Sequence, residues 1–357
     1  MRGGGTGGLQ QGLTEGAPKS ILIIRPSALG DVARSVPVLA SLRAAFPAAR
    51  VDWLVRPEFA PIIAHHPGLS NVVVFPRREL NRWIVRLQWG KVRGFARTLR
   101  EPGYELVLDC QGLMRSALLA RITGARRRIG DRNSRERLAR LGMTELVRTP
   151  KVIHTVDKML ALVEAAGAPV LRDASAMRLY TSEADRAWAK AQAFSGRRYA
   201  VLAPTSAWPA KEWPSERFAT LAQHLTSKGI AVVLVGAKNE RERIASVLEL
   251  AQRSPLVLDR VGATSVGQLM AIIEGSALVV ANDSASLHIG VGFDRPLIAL
   301  LGPTDPKLAC PYGRLRDVVQ HVREGDEFYF RDDRSAGMIG RITVEEVIAR
   351  AEERLGL

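Results

Sequence analysis

The sequence predicts an α/β protein made of two Rossmann-like halves that face each other across a cleft. Short apolar runs alternate with amphipathic helical patterns through most of the 357 residues, which is typical of βαβ units and a parallel sheet. A segment with little periodicity, residues 167–175, separates two such series. With 46% apolar residues, a chain of this length can bury more than one core.

In the first half, four apolar runs have the length of buried strands. They are residues 21–24, 51–55, 72–75 and 105–109. Helical patterns follow at residues 32–46, 58–65, 87–99, 113–122 and 155–166. Pro37 lies inside the first of these, so we expect that helix to break near Ser35.

The second half repeats the alternation. Strands are expected at residues 199–203, 231–235, 256–258, 277–281 and 297–301, and helices at 216–227, 240–252, 266–274 and 284–291. A final helix is expected at residues 344–355, because Thr343 and Glu346 have the spacing of a capping box. The predicted units are a disordered tail (1–19), a first domain (20–172), a second domain (173–342) and a C-terminal helix (343–357).

The charge of the chain, +15, is concentrated in the first half, where residues 77–150 hold 18 Lys and Arg against 7 Asp and Glu. An excess of this size predicts an anionic partner: an anionic lipid surface, a phosphorylated or carboxylated substrate, or nucleic acid. No nucleic-acid-binding module is recognisable, so we expect no nucleic acid. Part of the excess is also explained by an ordinary solvated, Arg-rich surface.

Several classes of protein are disfavoured by missing patterns. Neither half has a G-x-G-x-x-G or a G-x-x-x-x-G-K-[ST] at a strand-to-helix turn, which argues against a dehydrogenase or a P-loop enzyme. Two cysteines are too few for a disulfide framework or a metal cluster and suit a reducing cytoplasm. No apolar run approaches the roughly 18 to 20 residues of a spanning helix.

The segment SILIIRPSALGDVARSVP, from Ser20 to Pro37, places polar residues after the first strand. Ligands of open α/β sheets bind outside the carboxyl ends of the strands, where Arg25, Ser27, Gly30 and Asp31 are expected. Asp31 at the start of a helix is favoured in its ionised form, and an ionised carboxylate can act as a general base. The alternative is that Asp31 only caps the helix.

Two turns of the second half carry candidate anion-binding groups. VVANDSASLHIG opens a helix with small residues after Asp283, so that free N–H groups can approach a diphosphate. PTSAWPAKEWP supplies hydroxyl groups and the ammonium of Lys211. His288 faces either this site or the core, and Glu240 either accepts hydrogen bonds from a ribose or completes a helix dipole.

Seven ordered segments carry a family resemblance: GDVARSVP, DCQGLMRSA, SRERLA, HTVDK, PAKEWP, VVANDSASLH and GPTDP. Together they closely resemble the lipopolysaccharide heptosyltransferases, the ADP-heptose-using glycosyltransferase family 9. The resemblance covers the chain from about Ile21 to the C-terminus. QGLMRSA and SRERLA are more similar to the heptosyltransferase I branch than to heptosyltransferase II.

The resemblance implies a GT-B fold, an inverting mechanism, no metal and no cofactor. It implies that Asp31 is the catalytic base and that Lys211 lies near the donor diphosphate, where its ammonium can make the nucleoside diphosphate a better leaving group. The donor-binding positions that it implies are Thr205, Ser206, Ala207, Lys211, Glu240, Thr264, Asp283, Ser284, Ala285 and His288. The acceptor-binding positions are Arg115, His154 and Lys158. Two departures are Ala285, where the family usually has Gly, and Ala207, which lacks the hydroxyl of some members.

The function implied is transfer of heptose from ADP-L-glycero-D-manno-heptose to a Kdo or heptose acceptor of the lipopolysaccharide inner core. Kdo-lipid A or a related anionic glycolipid is the expected acceptor, the cytoplasm the expected location, and the anionic inner-membrane surface a peripheral partner. Two alternatives stay open. One is a family 9 transferase that uses another nucleotide sugar, and the other is a non-catalytic GT-B-shaped binding protein. An epimerase would need acid and base groups on both faces of the sugar, and no second carboxylate pair is evident beyond Asp283 and Asp305.

Overall fold

A computed structural model describes residues 16–192, 196–329, 331, 335 and 337–357. Most of the predicted tail therefore lies outside the described residues. Within these ranges the chain forms two six-stranded sheets whose neighbouring strands are all parallel. The prediction of two α/β halves is confirmed.

The first sheet has the strand order β3-β2-β1-β4-β5-β6. Its strands are β1 (Ser20–Ile24), β2 (Arg50–Val55), β3 (Asn71–Val74), β4 (Leu106–Asp109), β5 (Arg127–Asp131) and β6 (Glu145–Val147). The helices of this half are α1 (Leu29–Ala33), α2 (Val36–Ala45), α3 (Arg77–Val85), α4 (Trp89–Arg100), α5 (Met114–Ile122) and α6 (Thr155–Ala165). Every residue of β1 is buried, because strands pair on both of its edges and helices cover both faces.

The second sheet has the order β12-β11-β10-β7-β8-β9. Its strands are β7 (Tyr199–Ala203), β8 (Ala231–Leu234), β9 (Val257–Asp259), β10 (Leu278–Asn282), β11 (Leu297–Leu300) and β12 (Val318–Val319). Its helices are α7 (Glu183–Gln192), α8 (Ser215–Ser227), α9 (Ala245–Arg253), α10 (Val266–Glu274), α11 (Ala285–Gly292), α12 (Pro306–Ala309) and α13 (Val344–Leu355). In both sheets the strand order reverses at the centre, which is where such folds bind ligands.

Most predicted elements are confirmed within one or two residues. The break before Pro37 is among them, because α1 ends at Ala33 and α2 begins at Val36. Two helix predictions are wrong in type: Pro57–Ile62 is a 3₁₀ helix, and Lys238–Ile244 forms a 3₁₀ helix before α9. The sequence did not predict β5, β6, β12, α3, α7 or the short α12.

The final helix, α13, packs on the second half. The Thr343 hydroxyl accepts a hydrogen bond from the Glu346 N–H, which is one half of the predicted capping box, while Glu346 Oε2 lies 2.7 Å from His321 Nε2. Val347, Ala351 and Leu355 are buried in the apolar cluster that covers one face of the second sheet. The helix is therefore part of the second half's core.

The two halves share a single apolar cluster that includes Ile23 and Trp53 of the first sheet and Val201 and Val279 of the second. The halves lie close together at Gly30 of α1, where an added Cβ would lie 2.9 Å from His288 Cδ2. Glycine at this position lets α1 lie directly against α11. Within the described ranges, no helix is long and apolar enough to cross a bilayer.

Candidate active site

A cavity of about 540 Å³ lies between the two halves, at the carboxyl ends of the central strands. The first half contributes Ala28, Gly30, Asp31 and Arg34. The second half contributes Ser206, Ala207, Trp208, Lys211, Asp283, Ser284, Ala285, His288, Pro303, Thr304, Asp305, Leu308, Ala309 and Phe328. Eight of the residues that the family resemblance selected therefore lie around one space.

Asp31 is the third residue of α1, and its carboxylate is held by two arginines. Arg25 Nη2 lies 3.0 Å from Asp31 Oδ2, and Arg34 donates to Oδ1 one turn along the helix. The Ala28 N–H donates to Oδ2 at 3.2 Å. Burial opposes ionisation, but the two guanidinium groups outweigh it and hold the pKa of Asp31 well below its usual range. Asp31 is thus a stable carboxylate at neutral pH.

Across the cavity, Lys211 and Asp283 form a buried ion pair. Lys211 Nζ lies 2.6 Å from Asp283 Oδ2, which also accepts a hydrogen bond from Thr304 Oγ1 at 2.7 Å. Burial raises the pKa of Asp283, but the Lys211 ammonium outweighs that effect and the pKa stays below its usual value. Lys211 is therefore anchored at the cavity wall by its own counter-ion.

The first turn of α11 also opens into the cavity. Its N-cap, Ser284, makes no side-chain cap hydrogen bond, and within the described chain Ser284 Oγ has no partner. The first N–H groups of a helix have no intrahelical acceptor, and the macrodipole adds partial positive charge there. An anion can therefore be bound at this helix start.

His288 lies one turn further along α11 and is 5% exposed. Burial first, and then the nearby charge of Arg34, lower the pKa of His288 to about 3. The ring is therefore neutral at neutral pH. Among the described residues, its Nδ1 atom has no hydrogen-bond partner.

Three predicted donor residues, Thr205, Glu240 and Thr264, do not line the cavity. Glu240 Oε2 accepts from the Ala237 N–H at 3.0 Å, so Glu240 caps the 3₁₀ helix. Arg243 connects Glu240 to Ser206, which lines the cavity. Its Nη2 atom lies 3.5 Å from Glu240 Oε1 and donates to the Ser206 carbonyl at 3.2 Å. Glu240 and Arg243 therefore form a polar cluster next to the cavity.

The predicted acceptor residues are spread over the first half. His154 is fully engaged: its Nδ1 atom accepts from the Val156 N–H at 3.2 Å, and its Nε2 atom lies 3.0 Å from the Cys310 carbonyl oxygen. An accepting Nδ1 assigns the proton to Nε2, so the ring donates to the second half. His154 therefore joins the two halves, and neither ring nitrogen is available to a substrate.

Lys158 lies in a smaller cavity of about 180 Å³ beside the first sheet, where its Nζ atom is 2.6 Å from Asp131 Oδ2. This cavity also contains Arg25 and Asp109. Burial is the main reason that the pKa of Asp109 is raised to about 6. Arg25 thus connects the small cavity to the Asp31 carboxylate in the large one.

Arg115, at the start of α5, lies near Arg77, at the start of α3. Repulsion by Arg115 is the largest cause of the lowered pKa of Arg77, followed by burial and by Arg56. Like charges gathered on one surface favour an anionic ligand. Arg115 therefore belongs to a basic patch formed by Arg56, Arg77 and Arg115.

Sequence reasoning missed Arg34, Thr304 and the Lys211–Asp283 ion pair. A signal for Arg34 existed, because a basic residue three positions after Asp31 shares its face of the helix. The ion pair joins residues 72 positions apart, and local spacing carries no signal for such a contact. In the described part of the chain, no group of three or more His, Cys, Asp or Glu side chains is placed to hold a metal ion.

Residues 92–335 match the model of glycosyltransferase family 9, described as heptosyltransferase. The chain is 32% identical to lipopolysaccharide heptosyltransferase 1 of Pseudomonas aeruginosa over 300 residues. This aligned region covers 82% of this chain and 81% of that protein. Over 314 residues the chain is 29% identical to lipopolysaccharide heptosyltransferase 1 of Escherichia coli, covering 85% and 94%.

Among solved structures, that of E. coli ADP-heptose lipopolysaccharide heptosyltransferase II superimposes with a TM-score of 0.77 at 23% identity, over 94% of this chain and 98% of that one. The E. coli heptosyltransferase WaaC with ADP-2-deoxy-2-fluoro heptose gives a TM-score of 0.72 at 25% identity, over 94% and 99%. These matches confirm the GT-B fold. Because the family model spans more than half of the chain and a relative exceeds 30% identity over most of it, this chain is a transferase that belongs to glycosyltransferase family 9, the heptosyltransferases.

Proposed function

We propose that this chain transfers heptose from ADP-L-glycero-D-manno-heptose to Kdo-lipid A or a related anionic glycolipid acceptor of the lipopolysaccharide inner core. The observation that carries the proposal is the shared cavity. It sets the Asp31 carboxylate of one half opposite the Lys211 ammonium and the uncapped α11 start of the other. The names of the matched relatives favour heptose as the sugar and lipopolysaccharide as the product.

The second half binds the donor in this proposal. The diphosphate lies between Lys211 and the start of α11, where the ammonium and the helix N–H groups stabilise the charge that develops as ADP leaves. Asp283 keeps Lys211 at the cavity wall, since the two atoms of the ion pair are 2.6 Å apart. Ser206 supports the same loop, because its hydroxyl donates to the Asp283 carbonyl at 3.0 Å.

The nucleoside extends from the diphosphate towards the cluster next to the cavity. Glu240 accepts hydrogen bonds from the ribose hydroxyl groups, and Thr264 lies beside the adenine. Thr205 is buried next to Gly236, where an added Cβ would lie 2.8 Å from Thr205 Oγ1 and 3.7 Å from Glu240 Oε2. Glycine at position 236 therefore keeps space beside the ribose-binding carboxylate.

The transfer is a single displacement with inversion. The acceptor hydroxyl oxygen forms a bond to the anomeric carbon, and the bond from that carbon to the diphosphate oxygen breaks, with its electron pair leaving on ADP. The proton of the hydroxyl passes to the Asp31 carboxylate, which acts as general base. Its two arginine partners keep Asp31 ionised and therefore able to accept the proton, although they also lower its basicity.

The first half binds the acceptor in this proposal. The carboxylates and phosphates of a Kdo-lipid A molecule match the basic patch of Arg56, Arg77 and Arg115 and the ammonium of Lys158. The acceptor is a lipid, so the transfer takes place at the anionic cytoplasmic face of the inner membrane. His154 acts in this proposal by fixing the start of α6, one turn before Lys158, against the second half.

The test is mass-spectrometric detection of sugar transfer to Kdo-lipid A from a panel of nucleotide sugars. We expect one heptose to be added from ADP-heptose and little product from UDP- or GDP-sugars. Transfer from a different nucleotide sugar would show that the proposed donor is wrong and would leave the proposed mechanism unchanged. A protein that binds ADP-heptose but transfers nothing to any acceptor of the panel would contradict the catalytic proposal.

A further inference from the structure

The connection between α3 and α4 exposes apolar side chains at the tip of a two-helix projection. Val85 is 83% exposed and Leu87 is 69% exposed, and Ile84 and Trp89 are both more than 40% exposed. No residue of α3 is buried. Scattered apolar surface residues are normal, but four within six positions form a patch that a monomer rarely exposes without a use.

The backbone at this tip holds Leu87 outward at a cost in stability. The N–H of Leu87 donates to the Ile84 carbonyl at 3.0 Å, and the N–H of Gln88 donates to the Trp83 carbonyl at 2.8 Å. This pair of bonds is a Schellman motif, in which the residue after the helix adopts a left-handed conformation that favours glycine. Leu87 adopts it with φ of 54°.

A leucine is unfavourable at this position, and most of its side chain stays exposed. The αL conformation is unfavourable for residues with a Cβ, and the exposed side chain gains no packing energy that offsets it. Strained positions of this kind persist where function requires them. Within the described residues, no contact accounts for an apolar side chain at this strained position.

The charges around the tip identify what covers it. Residues 77–93 contain six Lys and Arg and one acid. Within the described chain, none of Arg78, Arg82, Arg86, Lys91 and Arg93 forms an ion pair. A second copy of the chain would bring like charges together, whereas an anionic bilayer supplies both phosphate charge and hydrocarbon.

We propose that the α3–α4 tip inserts Val85, Leu87 and Trp89 into the interfacial region of an anionic bilayer, with the surrounding Arg and Lys side chains on the lipid phosphates. Tryptophan is favoured at such interfaces because its ring is apolar and its N–H is polar. The proposal specifies the membrane-binding element of the proposed function and rests on it only for the lipid nature of the acceptor. Both arginines and apolar residues are needed, since one signal gives only weak, reversible attachment.

The test is co-sedimentation of the full chain with phosphatidylcholine vesicles that contain phosphatidylglycerol, compared with vesicles of phosphatidylcholine alone. The critical variant is Leu87→Gly, which removes the apolar side chain and relieves the αL conformation. We expect it to weaken binding to anionic vesicles by about tenfold while the melting temperature stays equal or rises. A purely structural role for Leu87 would instead lower the melting temperature.

Three further variants complete the design. Arg86→Gln should weaken binding by about fivefold, and Leu315→Ala, at an equally exposed leucine of the second half, should leave it unchanged. A blue shift of tryptophan fluorescence on anionic vesicles should be reduced in Trp89→Phe.

Three results would overturn the proposal: wild-type binding by Leu87→Gly, equal binding to both vesicle types, or a dimer in sedimentation velocity that Leu87→Gly dissociates. The vesicles contain neither donor nor acceptor. Failure of the proposed function would therefore appear only in the transfer assay. Failure of the membrane-binding proposal would appear only in the vesicle experiment.

Discussion

Asp31→Asn separates a catalytic base from a helix cap. Asparagine keeps the size of the side chain and accepts the Ala28 N–H as aspartate does, but it cannot take a proton. General-base catalysis is typically worth about 10² to 10⁴ in rate, or about 3 to 5.5 kcal/mol of activation free energy. We expect turnover to fall by that factor while ADP binding is retained.

The structure also predicts a loss of stability, because a neutral asparagine at position 31 would leave two arginines without their counter-ion. Arg25 is 8% exposed and Asp31 25% exposed, so the ion pair is only partly screened. Taking the lower end of the range for bonds to charged groups, the free energy of unfolding should fall by about 1.5 kcal/mol. The pKa of Asp31 is lower in the folded chain than in the unfolded chain, so this stabilisation is complete above about pH 4 and is lost as the pH falls further.

The assay therefore measures turnover, ADP affinity by calorimetry and melting temperature on the same preparations. Arg34→Gln is the matched control, because it removes one of the same ion pairs and leaves the base. It should lose comparable stability but retain most of the turnover. Asp173→Asn, at a helix cap remote from the cavity, should change nothing. Full activity in Asp31→Asn would refute the assignment of the base.

Three further predictions concern the donor and the metal. Lys211→Ala should lower ADP-sugar affinity and turnover together, by roughly 1.5 to 3 kcal/mol for a lost charge-assisted contact; unchanged calorimetry and kinetics would remove Lys211 from the site. Glu240→Gln keeps a carbonyl oxygen for the Ala237 N–H, so ADP affinity should fall with an unchanged melting temperature; unchanged ADP affinity would mean that Glu240 is only a cap. Transfer should continue in EDTA, because Lys211 and the α11 start supply the positive charge at the leaving group; loss of activity that Mg²⁺ or Mn²⁺ restores would contradict this.

The predictable part of the fold is the part that local chemistry determines. Continuous apolar runs located β1 and β10 because strands buried on both faces have no polar alternation. Pro37 located the break between α1 and α2, because proline cannot continue a helix without losing a hydrogen bond. Edge elements carry weaker signals. β5 contains RRIGD and β6 only three residues, so neither produces an apolar run, and α3 has no buried residue to give it a core-facing stripe.

The site was predictable to the same extent. Asp31, Lys211 and Ser284 follow strands or open helices, and the topology brings such positions to one edge. The hydrogen bond between His154 and the Cys310 carbonyl was not predictable from the sequence, because it depends on how the two halves pack. The same holds for Glu240, whose side chain caps its own helix just outside the cavity.

The apolar cluster common to both sheets has a consequence for unfolding. Domains joined by a small polar interface melt separately and move freely, but here α1 lies on α11 and His154 and Thr155 of one half bond to carbonyl groups of the other. Unfolding one half therefore exposes apolar surface of its neighbour, which makes the halves thermodynamically interdependent. If the second half binds the nucleotide, as we propose, the ligand stabilises the first half as well, although it contacts only the second.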